Sequence, residues 1–147
     1  MKMQSGVKAT GSLKITVTNK EGKVVEEREI DNLVVTTGKN YIASRMVGTS
    51  STVMSHMALG TDNTSPAAGN TALGSEAGRV AMSAFTASTN IVTATATFPA
   101  GTATGALTEA GILNASSSGD LLCRTTFSVV NKAAGDSVAI TWTITVS

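Results

Sequence analysis

The sequence predicts an all-β fold, an antiparallel β-sandwich of jelly-roll-like character with one short α-helix near residues 39–47. Three observations predict it. Apolar and polar residues alternate with a period of two in several separate runs, the pattern of strands with one buried face. Turn-forming stretches cut the chain into many short segments, as in sandwiches and barrels. The 147 residues suit one domain large enough to bury a real core.

In chain order, residues 1–10 are expected to form a loose arm able to reach a neighbour in an assembly, and residues 11–147 a single sandwich domain. Leu13, Ile15 and Val17 alternate with Ser12, Lys14, Thr16 and Thr18 in the first strand. Asn19–Gly22 reads as a hairpin turn into a second strand, Lys23–Ile30. Leu33–Thr36 is a short strand. Lys39–Val47 is the helix: Thr37 is placed to cap it, Gly48 to end it, and Tyr41, Ile42 and Met46 fall at helical spacing. Met54–Leu59, Val80–Ala87 and Ala106–Leu113 are further strands. Between the first two of these, "NTALGSE" from Asn70 resembles a capping pattern and suggests a second short helical turn.

Later strands repeat the alternation. Val92, Ala94, Ala96 and Phe98 oppose Ile91, Thr93, Thr95 and Thr97. In Leu121–Val129, Leu121, Cys123, Phe127 and Val129 share one side. The last strand is clearest: Val138, Ile140, Trp142, Ile144 and Val146 face one way, with Ser137, Ala139 and three threonines on the other. Trp142, Ile140, Ile144, Phe127 and Phe98 are the expected core anchors. Turn signals at Gly60–Asn63, Ser88–Asn90, Pro99–Gly105, Ser116–Asp120 and Ala133–Asp136 separate the strands. No repeat of fixed period is visible.

Composition narrows the function classes. Net charge is +1, and charged residues make up 14% of the chain, against roughly 25% in ordinary domains. With no basic stripe, nucleic acid is not an expected partner. A surface of Ser, Thr, Asn and Gly suits one that neighbours will cover. One cysteine excludes an internal disulfide and agrees with a reducing compartment. The opening MKMQSGVKATGSL lacks the apolar region of a secretory signal, and no apolar run approaches the roughly 18 residues of a membrane span.

The chemistry-bearing residues are few. His56 is the only histidine and lies opposite Met57 and Leu59, so it reads as a surface or loop residue. Cys123 reads as a small core residue, since a nucleophile would need a base beside it. Gly60–Ser65 (GTDNTS) is rich in oxygen but lacks calcium-loop spacing, and a turn in which Asp62 or Asn63 bonds its own backbone fits better. The nearby glycines do not make a phosphate loop. Glu76 and Glu109 lack the aromatics that accompany sugar chemistry, so glycosidase activity is not expected. No catalytic, cofactor-binding or metal-ligating residues, and no cofactors, are expected. Glu109, Arg79 and Arg124 stand in otherwise apolar or small-residue strands. Glu109 is expected to form a structural ion pair with Arg79 or Arg124; the alternative is that each is solvated on the outer face.

The order of segments carries a resemblance. "NLVVTTGKNYIASRMVG", "MALGTDNTSPAAGNTALGSEAGR", "LTEAGILNASSSGDLLCRTTF" and "DSVAITWTITV" together resemble a group of tailed-bacteriophage virion proteins. The matching residues are Asn32, Gly38, Lys39, Leu59, Gly60, Thr61, Pro66, Thr71, Ala72, Leu73, Glu76, Arg79, Glu109, Gly111, Asn114, Leu122, Arg124, Phe127, Trp142 and Ile144, from roughly Leu13 to the C-terminus. Asp62, and Ile112 with Leu113, depart from the pattern. The resemblance implies a non-enzymatic virion part made in the host bacterial cytoplasm. Capsid cement on the shell surface is favoured, with the major capsid protein and copies of itself as partners. No fibre-type repeat and no aromatic-rich receptor patch is present to favour a tail fibre. The alternative is a tail-fibre or baseplate-associated protein bound to other tail proteins.

Overall fold

The computed structural model describes residues 6–49 and 52–147. Its elements in chain order are β1 (Ala9–Thr18), β2 (Val24–Asp31), β3 (Leu33–Val34), α1 (Thr36–Met46), β4 (His56–Gly60), β5 (Glu76–Ala81), β6 (Ala84–Ser88), β7 (Ile91–Phe98), β8 (Gly105–Leu113), β9 (Leu121–Lys132) and β10 (Ser137–Val146). They form two five-stranded sheets, ordered β2-β1-β10-β7-β6 and β3-β9-β8-β4-β5. Every pairing is antiparallel. The protein is an all-β sandwich with one short helix.

The long-range strand pairing is nested. β1 pairs with β10, β3 with β9, β4 with β8, and β6 with β7, like one long hairpin rolled up. Unlike a two-Greek-key jelly roll, two successive nested pairs, β3–β9 and β4–β8, share a sheet.

The core lies between the sheets because alternation turns one face of each strand inward. Leu13, Ile15, Ile140, Trp142, Ala94 and Phe98 come from one sheet, Met57, Leu59, Leu107, Ile112, Cys123 and Val130 from the other. Trp142 stands between Leu13 and Ala94 in register, and the small alanine leaves room for the indole.

Several expectations need correction. The arm is shorter than residues 1–10: Ala9 and Thr10 belong to β1, and Lys8 exchanges backbone hydrogen bonds of 2.7 and 2.8 Å with Ser147. Residues 1–5 of that expected arm lie outside the described residues. The helix runs Thr36–Met46 rather than 39–47, and Thr37 does not cap it. The cap residue is Val35, extended at φ −78° and ψ 167° and fully buried. Packing fixes this end, since Val35 N–H bonds Leu122 O at 3.3 Å. Gly38 then lies so close to β9 that an added Cβ would collide with Leu122 O. At the other end Gly48, at φ 69°, follows the helix in the left-handed region that glycine tolerates. Tyr41 and Ile42 pack on the core, but Met46 is 83% exposed.

The expected strand Val80–Ala87 is two strands in different sheets, β5 and β6. The chain crosses over at Met82 and Ser83: Met82 N–H bonds Ser55 O at 2.9 Å, and Ser83 N–H bonds Thr95 O at 2.8 Å. Asn70 starts no helix. It closes a turn, donating from its N–H to Ala67 O and accepting Ala67 N–H on its side chain. Phe127 is not a core anchor but is partly buried at the core's edge. Register shifts between Leu107/Glu109 on β8 because β9 bulges opposite, so Val129 turns outward and Val130 inward.

Candidate functional site

The stretch between β4 and β5 lies over the outer face of the second sheet. Small residues there admit it. On β4 and β8, Gly60 pairs with Glu109 and Ala58 with Gly111. A Cβ at Gly60 would meet Ser75 O and Glu109 Oε2, and one at Gly111 would lie 2.9 Å from side-chain carbons of Leu121 and Leu73. Leu73 thus closes a second small apolar cluster with Val35, Ala58, Leu113 and Leu121.

Glu109 is fully buried beneath this loop and Arg124 is 2% exposed. The structure brings the two together, Arg124 Nε donating to Glu109 Oε1 at 3.0 Å. Three backbone N–H groups of the loop also donate to Glu109: Gly74 at 2.8 Å, Ser75 at 2.7 Å and Asp62 at 3.0 Å. Arg124 Nη1 donates to Thr64 O at 3.0 Å and Asn70 Oδ1 at 3.2 Å. Its Nη2 lies 3.6 Å from Asp62 Oδ2. A charge this deep is tolerated only with such satisfaction. What the pair does chemically is hold the loop, with each Glu109 oxygen already taken by two N–H donors.

Asp62 makes the self-bonded turn expected of it, accepting Thr64 N–H at 2.9 Å and Thr64 Oγ1–H at 2.8 Å. Those two bonds, backbone first, hold its carboxyl below the ordinary range; Arg124 adds to them, and desolvation works against them.

Arg79 goes elsewhere. Its Nε and Nη2 donate to the two carboxylate oxygens of Glu76, at 3.1 and 2.7 Å. Its Nη1 donates to Ala115 O at 2.8 Å and Ser118 O at 2.9 Å. This second clamp holds the β8–β9 loop, which Asn114 braces from within by accepting Asp120 N–H at 2.7 Å.

The other candidates are apart from both clamps. His56, half-buried at the start of β4, has Nδ1 2.7 Å from Ser55 Oγ. Cys123 is buried, and desolvation pushes its thiol up to about 12, with Asn32 and Ile112 pulling more weakly the other way. Phe98 and Trp142 are fully buried, and Ile140 and Ile144 nearly so. Among the described residues no three His, Cys, Asp or Glu side chains gather as a metal site would need.

Five contributors carried no local sequence signal. Asn70 and the Gly74 and Ser75 amides reach Glu109 and Arg124 across 34 to 54 positions. Lys132 is buried, donates to Pro99 O at 3.0 Å, and is held below its ordinary value by desolvation, with Asp136 pulling the other way. Arg28 donates from β2 to Ser128 O and Val129 O, both at 3.2 Å, tying one sheet to the bulge of the other.

Comparison with known protein families, curated proteins and solved structures gives no match for this chain.

Proposed function

We propose that this chain is a structural protein of a tailed-phage virion, a capsid cement or decoration protein that bridges neighbouring shell subunits. The supporting observation is where the resemblance residues fall. Gly38 sets the approach of α1 to β9. Gly60, Glu109 and Arg124 build one loop clamp, while Glu76, Arg79 and Asn114 build the other. Trp142 anchors the core. These eight of the residues that liken the chain to virion proteins are framework residues, and the buried charges among them secure loops. A rigid surface of low charge suits repeated contacts with copies of itself and with the major capsid protein. Each contact need only be modest, because shell symmetry supplies avidity.

The test is electron microscopy of virions carrying a tagged chain. Label spread over the icosahedral shell is the expected result. Label only at the tail would replace this reading with the tail-fibre or baseplate one, and virions without label would overturn both.

A further inference from the structure

We propose that the outer edge of β6 is a self-association surface, pairing antiparallel with β6 of a second copy about a two-fold axis. This rests on the fold and not on the virion reading. A sheet edge presents unpaired backbone donors and acceptors, which proteins normally guard with charge, proline, shortness or a covering element. Three of the four edges here are guarded. β2 carries Glu26, Glu27, Arg28, Glu29 and Asp31. β5 carries Glu76 and Arg79. β3 has only two residues and runs directly into α1, which packs on β9.

β6 has none of these devices. Its sequence, AFTAS, holds no charge and no proline, and four of its five residues are exposed. It is also its own complement. Centred on Thr86, antiparallel self-pairing sets Phe85 against Ala87 of the partner on one face, large against small. On the other face it sets Thr86 against Thr86 and Ala84 against Ser88. The hydroxyl row Ser12–Thr143–Thr93–Thr86 already crosses four strands, and it would continue unbroken into the second copy. A two-fold contact uses one patch on both copies and closes at the dimer, giving a continuous ten-stranded sheet. The occupant is therefore a second copy of this chain.

The experiment is sedimentation of the purified full chain over a concentration series, with Thr86→Lys, Thr86→Glu and Glu27→Lys alongside. The wild type should move from the mass of one chain to that of two, at concentrations below about 1 mM for a small contact. Thr86→Lys and Thr86→Glu should each stay at one chain, since like charges then face each other across the axis. Mixing these two variants should restore a two-chain species, which also shows that both are folded. Glu27→Lys, on the guarded edge, should associate as the wild type does. A wild type that never exceeds one chain, a dimer that survives both Thr86 variants, or a mixture that stays monomeric would each overturn the proposal.

Discussion

Glu109 lies in the middle of β8 with all of its charge inside the protein, and four N–H donors make that tolerable. Removing it leaves Arg124 buried beside a single distant carboxylate, Asp62 at 3.6 Å. Glu109→Ala should therefore cost about 3–5 kcal/mol in urea melts. Adding Arg124→Met should recover part of that loss, because no unpaired charge then stays buried. Cys123 titrates with a definite sign. Its folded value of about 12 lies above the ordinary 9.0 of an unburied thiol. Above that lower value the unfolded thiol loses its proton while the folded one keeps it, so stability falls as pH rises from 9.0 toward 12. The fall should be shallower in Cys123→Ala, measured by urea melts across that range. At this scale the sequence exposed Glu109 and Arg124 as misfits in apolar strands, but it did not decide which arginine Glu109 would meet. Glu76 and Arg79, three apart, would face opposite ways on a regular strand. The register shift where Gly60 pairs with Glu76 and Leu59 with Gly78 brings them to one side.

Elements were legible wherever one face is buried and the ladder is regular. β1 and β7 follow the alternation throughout and β10 follows it as far as Ile144, because a period of two is a local property of extended backbone. The failures share one cause, contact with a distant segment. β9 changes phase at its bulge, and Arg28 fills the carbonyls that the bulge frees. β5 and β6 separate because Met82 and Ser83 find partners in opposite sheets. The helix begins at Thr36 because Val35 and Gly38 sit against β9. Gly38→Ala tests this directly. In a free helix the change would gain about 1 kcal/mol. Here the collision with Leu122 O should reverse the sign, with a net loss of about 1–3 kcal/mol in thermal or urea unfolding.

The sandwich closes when its first and last strands meet. β1 and β10 pair along their full length, Leu13 beside Trp142 and Ala9 beside Val146. That contact spans most of the chain, so closure is entropically slow, and folding should take milliseconds to seconds. Stopped-flow fluorescence of Trp142, the only tryptophan, reads it directly. Trp142 is fully buried, so its emission should resist aqueous quenchers, and Trp142→Ala should destabilise by about 3–5 kcal/mol. A loss below about 1 kcal/mol would mean that the two sheets do not close on the indole.

By itself the sequence determined the all-β class, most strands, the inward face of each regular strand and the residues whose charge needed an explanation. All of these follow from periodicity and local chemistry, which act over a few residues. Tertiary structure alone decided the division of strands between sheets, the start of the helix, the Glu109–Arg124 partnership and the unguarded edge at β6. Each of these depends on which distant segment arrives alongside, and that is set by burying the whole apolar surface at once.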